Sequence, residues 1–334
     1  MANTKTLFLT SEECAGLATP AEYVAAVREG YRQRGQGAPA TPRTKLTNPD
    51  PPGMLTGYTA ILPETGAMGG YMYAAGFGGK DAHFMLPLFD ADSGNPLALL
   101  DGASINPFKT GAAGAVAVDA LAREDASTLA VIGSGAQARG QLRAVATVRE
   151  FETVNIYSPT PENREEFAAA MNKTLEPSVA AVASSAAAVE GADVVITATT
   201  SSEPVFDGEV LEDGAHVTAM GQYHPEKREL DTTTIERAKY VPDLRERVMN
   251  DAGSFIHAVE EGVVSEEDIH GELGEVVAGE VPGRESEEEI TVFDSGGTAI
   301  ETVAAAYLLY ERAREQGLGT EISFAPASQA LTGE

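Results

Sequence analysis

From residue 127 onward, short apolar runs alternate with longer segments whose apolar residues recur at helical spacing. Five runs predict buried strands: STLAVIG at 127–133, TVNIYS at 153–158, and then SVAAVAS, ADVVITAT and AHVTAMG. Segments of helical length separate them, and one begins at Pro161, a residue type that favours the first turn of a helix. Strands that alternate with helices form a parallel sheet covered on both faces, so this half predicts a doubly wound α/β domain.

Residues 1–110 follow a different pattern, in which strand-like runs are separated by turns rich in proline and glycine. HFMLPLFDADSGNPLALLDG, at 83–102, predicts a β-hairpin, and the small apolar residues at 108–122 predict a tightly packed helix. A long helix is predicted over 298–319, because this segment begins with a capping box and ends at glycine.

The composition is that of a globular protein: 334 residues, 43% of them hydrophobic, are enough for one large domain or two ordinary ones. No apolar run approaches the roughly 20 residues that a membrane span requires, and we see no signal-peptide pattern. Cys14 is the only cysteine and the histidines show no metal-ligand spacing, so no disulfide and no metal are expected. The simplest expectation is a soluble cytoplasmic protein.

The charge is strongly acidic, with 51 Asp and Glu against 23 Lys and Arg and a net charge of -28. Such a chain repels itself at low ionic strength, whereas at molar salt the screening length falls to roughly 3 Å. The composition therefore suggests a halophilic protein; an acidic surface matched to one basic partner is the alternative. Nucleic-acid binding is disfavoured, because no basic patch is present to neutralise phosphates.

The segment AVIGSGAQARGQLRAV, at 130–145, places Gly133 and Gly135 between a predicted strand and a predicted helix. In this context the first glycine permits a tight turn and the second lets the backbone approach a pyrophosphate. Ala136 and Gln137 begin the helix, whose first N–H groups favour an anion. The turn therefore predicts a dinucleotide site, and a glycine-rich corner with no ligand is the alternative.

Residues at the end of the second strand bear on which dinucleotide is expected. A carboxylate there would bind the ribose 2′-hydroxyl of NAD, but this chain has Ser158 and Thr160, with no carboxylate before Glu162. These hydroxyls and the nearby Arg164 could accept a 2′-phosphate, so NADP(H) is favoured over NAD(H). The alternative is that Ser158 and Pro159 only shape the turn.

Four stretches together resemble the ornithine cyclodeaminase/mu-crystallin family: LFDADSGNPLALLDG, FKTGAAGAVAVDALAREDASTLAVIGSGAQARGQL, MGQYHPEKRELD and DSGGTAIETVAAAYLLYERA. The resemblance runs from about Pro42 to Gly319. It implies a homodimer, with a discontinuous α+β substrate-binding and dimerisation domain of residues 1–115 and 296–334 and a Rossmann-type domain of residues 116–295. It also implies cofactor contacts, for which plain packing is the alternative, from Thr110, Thr199, Met220, Gly221 and Ser295.

The resemblance implies hydride transfer at a carbon that bears nitrogen, with a basic cluster that holds the substrate carboxylate. Arg43 matches the family's first carboxylate-binding arginine and offers a bidentate fork. Lys109 stands where the family usually has a second arginine, so the charge is kept but the fork is not. An ordinary surface salt bridge is the alternative role for each.

Two departures from the family pattern affect the expected chemistry. Met72 stands where the family usually has a lysine, and a thioether can neither hold a carboxylate nor transfer a proton; Lys80 either folds back into that space or is solvated. Tyr223 stands where the cyclodeaminases carry a catalytic aspartate. Tyr223 could still donate a proton, and so could the imidazole of the adjacent His224, although wall packing is the alternative for both.

We therefore predict an NAD(P)-dependent oxidoreductase that transfers hydride to or from the α-carbon of a small amino acid, imino acid or cyclic ketimine. Tyr223 and Lys109 are the candidate catalytic residues, and the expected substrate-binding residues are Arg43, Met72, Lys109 and His224. Two alternatives remain: an ornithine cyclodeaminase-type lyase with catalytic NAD, and an NADP(H)-binding protein without turnover.

Overall fold

The computed structural model describes residues 4–77 and 82–324, which form two β-sheets and the helices that accompany them. The strands, in chain order, are β1 (Thr4–Leu9), β2 (Thr44–Pro49), β3 (Pro52–Leu62), β4 (Ala67–Ala75), β5 (His83–Asp90), β6 (Pro96–Asp101), β7 (Thr128–Ile132), β8 (Thr153–Tyr157), β9 (Ser178–Ala181), β10 (Val194–Thr197), β11 (His216–Ala219), β12 (Ala238–Pro242), β13 (Ile290–Asp294) and β14 (Thr320–Phe324).

The α-helices of the described residues are α1 (Ser11–Cys14), α2 (Pro20–Gly35), α3 (Asn106–Leu121), α4 (Ala136–Val145), α5 (Pro161–Met171), α6 (Ser185–Val189), α7 (Thr232–Arg237), α8 (Val248–Asp251), α9 (Gly253–Glu260), α10 (Leu273–Ala278) and α11 (Ala299–Gln316). Short 3₁₀ helices lie at Gly208–Val210, Arg245–Arg247 and Glu266–Asp268. Among these described helices, none has the length and apolarity that crossing a membrane requires.

The chain divides into two compact units. The first unit contains Met1–Asn106 and Thr298–Glu334, and the second contains Pro107–Gly297. The predicted boundary after residue 115 falls inside α3, because the chain passes into the second unit at the start of that helix. The second predicted boundary precedes residue 296, and the second unit ends at Gly297.

The first unit is built on a seven-stranded sheet in the order β14-β1-β6-β5-β4-β3-β2. β1 and β6 are parallel, the other neighbours are antiparallel, and β5 and β6 form the predicted hairpin. α2 and α11 pack closely, since an ideal Cβ on Gly30 would lie 3.2 Å from the Cβ of Ala304. The predicted capping box of α11 is present between Thr298 and Glu301, and Gly317 ends the helix with φ +65°.

The second unit has a seven-stranded sheet in the order β12-β13-β11-β10-β7-β8-β9, and all its neighbouring strands are parallel. All four residues of β10 and of β11 are buried, as expected for strands covered on both faces. The predicted Rossmann-type α/β class is confirmed. α4 ends at Val145, and the residues that follow it form a turn.

Candidate functional site

The predicted glycine turn follows β7 directly. Gly133 has φ +117°, a conformation that only glycine adopts without strain, and its N–H donates to the carbonyl oxygen of Tyr157 at 2.8 Å. An ideal Cβ at this position would lie 2.3 Å from the carbonyl oxygen of Ala198. Any side chain here would therefore force the turn away from the neighbouring strands.

Gly135 is a glycine for a different reason. It is the N-cap of α4, no side chain among the described residues caps that helix end, and an ideal Cβ would have no atom within 4 Å. The Oε1 atom of Gln137, in the first turn, is buried and no group of the described chain bonds it. Open space beside uncapped N–H groups forms a cradle for a phosphate group, so these residues fit a dinucleotide.

The turn lies at the point where the strand order of the second sheet reverses. β8 lies on one side of β7 and β10 on the other, and the chain connects β7 to β8 before it reaches β10. In open parallel sheets, ligands bind at the carboxyl ends of the strands at this reversal. The position of the turn agrees with the predicted dinucleotide fingerprint.

Ser158, Thr160 and Arg164 lie at the carboxyl end of β8. The Ser158 hydroxyl is buried and accepts a hydrogen bond from the Ser134 hydroxyl at 3.1 Å, which ties the end of β8 to the glycine turn. Arg164 donates to the Ser158 carbonyl oxygen at 2.9 Å, and its Cζ lies 5.7 Å from the ring centroid of Tyr157. Thr160 is exposed at the N-cap of α5.

Thr199 and Gly221 follow β10 and β11, and the carboxylate of Glu229 joins them. Glu229 accepts from the Thr199 N–H at 2.7 Å and from the Gly221 N–H at 2.6 Å. Burial raises the pKa of this carboxyl, and the hydrogen bonds from the two loops oppose that shift. Glu229 gave no signal in the sequence, because a glutamate within KREL has the local pattern of a solvated charge.

Met220 and Thr110 are connected through Gln141. The Gln141 amide nitrogen donates to the Thr110 carbonyl oxygen at 2.7 Å and also contacts the Met220 sulfur. Close packing of α3 on α4 permits this, since an ideal Cβ on Gly111 would lie 2.4 Å from the Gly140 carbonyl oxygen. The tightly packed helix predicted from small residues is therefore present.

Lys109 is buried in α3, with 1% of the residue exposed. Its Nζ donates to the Thr110 hydroxyl at 3.2 Å. A surface salt bridge, the alternative that the sequence left open, does not describe a lysine in this position.

Ser295 is also buried, and its hydroxyl donates to Asp243 at 2.9 Å. Asp243 accepts a second hydrogen bond, from the Gly297 N–H, and pairs with the buried Arg247. Arg247 pairs in turn with Asp294, whose pKa burial raises and whose charged form the arginine favours. These bonds hold the loop after β13, and local sequence patterns gave no signal for Asp243 or Arg247.

In the first unit, Arg43 lies against an aromatic ring. Its Cζ is 5.1 Å from the ring centroid of Tyr58, a distance that permits a cation–π interaction. Tyr58 contacts Tyr71 edge to face, and the Tyr71 hydroxyl donates to the Gly102 carbonyl oxygen in the interior of the unit. Arg43 is thus positioned on the side of the sheet to which these two tyrosines point.

Met72 points to the opposite face of that sheet, since side chains alternate along β4 and Tyr71 precedes it. It is 55% exposed and pairs in register with Met85, which is 56% exposed. The structure therefore does not bring Met72 together with Arg43, as the predicted substrate-binding set had assumed. Lys80 lies outside the described residues.

Tyr223 and His224 lie in the segment after Gly221. Tyr223 is 39% exposed, whereas His224 is half-buried and its Nδ1 accepts a hydrogen bond from the Glu226 N–H at 3.2 Å. A phenol and an imidazole thus lie in one segment, and both are hydrogen-bond donors that a ligand can use. Within the described ranges, no cluster of His, Cys, Asp and Glu side chains is arranged to hold a metal ion.

A parallel sheet with a glycine turn and an open phosphate cradle at its reversal point defines a dinucleotide-binding protein of the Rossmann type. The family is specified by the match of the whole chain. The chain belongs to the ornithine cyclodeaminase/mu-crystallin family, whose model matches residues 4–317.

Three relatives illustrate this similarity. A Δ(1)-pyrroline-2-carboxylate reductase of Bacillus cereus is 40% identical over 248 residues, which cover 74% of this chain and 76% of the relative. The structure of a Thermococcus litoralis Δ(1)-pyrroline-2-carboxylate reductase with NADH and L-proline has a TM-score of 0.90, 36% identity, and coverage of 95% and 100%. An archaeal alanine dehydrogenase dimer with bound NAD has a TM-score of 0.90, 34% identity, and coverage of 96% and 100%.

These relationships confirm the predicted family and the predicted class, an NAD(P)-dependent oxidoreductase.

Proposed function

We propose that this protein reduces a small cyclic imino acid of the Δ(1)-pyrroline-2-carboxylate class, with a nicotinamide dinucleotide as the hydride donor. The observation that carries the proposal is the match, over nearly the whole chain, to a reductase whose structure contains NADH and L-proline. The glycine turn and the phosphate cradle at Gly133 and Gly135 support it independently.

The proposed roles of the side chains follow from their chemistry. Arg43 offers a fork suited to a substrate carboxylate, and Lys109 offers a point charge. Tyr223 or His224 supplies the proton that the ring nitrogen gains when the carbon of the C=N bond gains a hydride. The bound dinucleotide supplies that hydride, and Thr199, Met220 and Gly221 line its site.

Met72 has no carboxylate-binding role in this proposal, because a thioether offers no charge and its strand directs it away from the Arg43 side of the sheet. A substrate without a side-chain ammonium makes fewer demands on acidic partners than ornithine does. The presence of Tyr223, in place of the aspartate expected of a cyclodeaminase, therefore favours reduction over ornithine cyclisation.

We propose NADP(H) as the preferred cofactor. The end of β8 presents Ser158 and Arg164 and has no carboxylate before Glu162, so it lacks the acidic partner expected for a ribose 2′-hydroxyl. Arg164 carries a positive charge at the position where a 2′-phosphate would add a negative one.

We also propose a homodimer and a salt-adapted cytoplasmic protein. One structural relative is described as a dimer, and the face of the first sheet that carries Met72 and Met85 exposes apolar side chains. The net charge of -28 supports adaptation to high salt, because molar salt suppresses the self-repulsion of an acidic chain. Light scattering in low and in molar salt tests the dimer, through the molar mass, and the salt adaptation, through the salt at which that mass is stable.

Alanine dehydrogenase activity is the second candidate, because an alanine dehydrogenase matches 96% of this chain at the same TM-score. The test is consumption of NADPH or NADH with Δ(1)-pyrroline-2-carboxylate, and separately with pyruvate plus ammonium, in molar salt. We expect faster turnover with the imino acid. Proline formed from ornithine without net consumption of reduced dinucleotide would support a lyase instead, and nucleotide binding without any turnover would support a binding protein.

A further inference from the structure

Glu229 is a buried carboxylate that joins two loops at the carboxyl ends of adjacent parallel strands. Only 2% of the residue is exposed. One oxygen accepts from the Thr199 N–H after β10, and the other accepts from the Gly221 N–H after β11, at 2.7 and 2.6 Å. The Glu229 carbonyl oxygen also accepts from the Val205 N–H at 2.9 Å, so both ends of the residue are held.

The Glu229 carboxylate and the Thr199 backbone leave no room for a side chain on Gly221. An ideal Cβ on Gly221 would lie 2.5 Å from Glu229 Oε1 and 2.3 Å from the Thr199 carbonyl oxygen. Glycine is therefore required for the two loops to approach one another around the carboxylate. The Glu229 carboxylate therefore joins two loops at the edge of the sheet where a dinucleotide binds in proteins of this fold.

We infer that Glu229 is a positioning residue of the dinucleotide site, which fixes the loops after β10 and β11 and adds a buried negative charge to them. This inference rests on the proposed function. The oxidised nicotinamide ring carries a positive charge that the reduced ring lacks. A charge buried in a medium of low dielectric constant is poorly screened, so Glu229 should favour binding of the oxidised dinucleotide relative to the reduced one.

Two substitutions separate position from charge. Glu229→Gln keeps the shape of the side chain, but its amide has one acceptor oxygen, so its NH₂ group opposes one of the two backbone N–H groups. Glu229→Asp keeps the charge and shortens the side chain by one methylene group. Loss of position should weaken binding of both oxidation states, whereas loss of charge should weaken binding of the oxidised state more.

Asp193→Asn is the matched control. Asp193 also accepts from two backbone N–H groups, those of Ser127 and Thr128, but at the amino end of β7 in the same sheet. It additionally pairs with Arg123. Its loss should lower the thermal midpoint of unfolding without changing dinucleotide affinity, since that end of the sheet is opposite the glycine turn.

The experiment titrates wild type and the three variants with NAD⁺, NADH, NADP⁺ and NADPH, follows binding by calorimetry, and records the thermal midpoint in parallel. For Glu229→Gln we expect the Kd of the reduced form to rise about tenfold, because the amide opposes one of the two N–H groups and displaces a loop of the dinucleotide site. The Kd of the oxidised form should rise at least about threefold further. Glu229→Asp should weaken both forms by a similar factor, and Asp193→Asn should change neither Kd more than about twofold.

Unchanged Kd values in both Glu229 variants, or an equal rise for both oxidation states in Glu229→Gln, would overturn the inference while leaving the proposed function intact. If Glu229→Gln does not fold, the Glu229→Asp titration decides, because unchanged affinities there also overturn the positioning role. Wild-type protein that binds none of the four dinucleotides overturns the proposed function and this inference together.

Discussion

The Ala198 carbonyl oxygen occupies the space that a side chain on Gly133 would need, with 2.3 Å between that oxygen and an ideal Cβ. Gly135, two residues later, has φ −76° and open space at the same position. The fold thus requires the first glycine, whereas at the second it leaves room for a side chain. This difference makes the two glycines a matched pair.

Gly135→Ala should weaken dinucleotide binding about tenfold and leave the free energy of unfolding within about 1 kcal/mol of wild type. The reason is that the methyl group enters the phosphate cradle without striking any protein atom. Dinucleotide titration and urea unfolding measure the two effects.

Gly133→Ala is the comparison for that variant, and it should cost about 2 kcal/mol or more of stability, through both the positive φ and the clash with Ala198. Equal loss of stability in the two variants would show that Gly135 is also a structural glycine. An unchanged dinucleotide affinity in Gly135→Ala would show that the phosphate does not bind beside Gly135.

Arg43→Lys should raise the KM for the imino acid about tenfold, because lysine keeps the charge but loses both the fork and the stacking on Tyr58. The Kd for the dinucleotide should stay unchanged. Arg314→Lys is the control, since Arg314 lies over the ring of Tyr310 at a similar distance, 5.5 Å. A KM that rises equally in both variants would assign the effect to lost stacking rather than to substrate binding.

The glycine turn and the strand and helix beside it were predictable from sequence, because they depend on local features. A strand, a glycine turn and a helix are adjacent in the chain, and the structure has each of them where the pattern placed it. The capping box at Thr298 and Glu301 was predictable for the same reason.

The remaining features depend on contacts between distant segments. Glu229 bonds a residue thirty positions away, and Ser295 bonds Asp243 across fifty-two positions, so neither partner is visible in a local pattern. Arg43 and Met72 are separated because they lie on opposite faces of the sheet, and the local sequence does not show which face of β4 the helices cover. The family resemblance identified the position that Met72 occupies, but not the face of the sheet to which its side chain points.

Arg164→Ala should reduce the preference for NADPH over NADH about tenfold, because it removes the charge proposed to meet the 2′-phosphate. Affinity for NADH should change less than about twofold. Because NADH lacks the 2′-phosphate, its binding is the control for the loss of NADPH binding. An equal loss for both would mean that Arg164 only orders the end of β8 through its bond to the Ser158 carbonyl oxygen.

His216 should make the folded state less stable as the pH falls. It is fully buried between the hydroxyls of Thr291 and Thr218, and burial, with lesser contributions from nearby arginines, lowers its pKa to about 3. Below a pH of about 6.5, the unfolded chain binds a proton that the folded residue refuses. Stability from this group is therefore complete above that pH and is lost as the pH falls toward 3.

His216→Gln removes that dependence. The free energy of unfolding of wild type minus that of the variant should fall by about 2 kcal/mol between pH 7 and pH 5. Urea unfolding at fixed salt measures it. A difference that is independent of pH, or that grows as the pH falls, contradicts the assignment of a neutral buried imidazole.

The proposed reductase activity is tested by the steady-state consumption of reduced dinucleotide by the purified protein in molar salt, with Δ(1)-pyrroline-2-carboxylate as substrate. We expect that NADPH is consumed, that one proline forms for each dinucleotide oxidised, and that pyruvate with ammonium is used less efficiently. No consumption of NADPH or NADH with the imino acid, by protein that binds both dinucleotides, would contradict it.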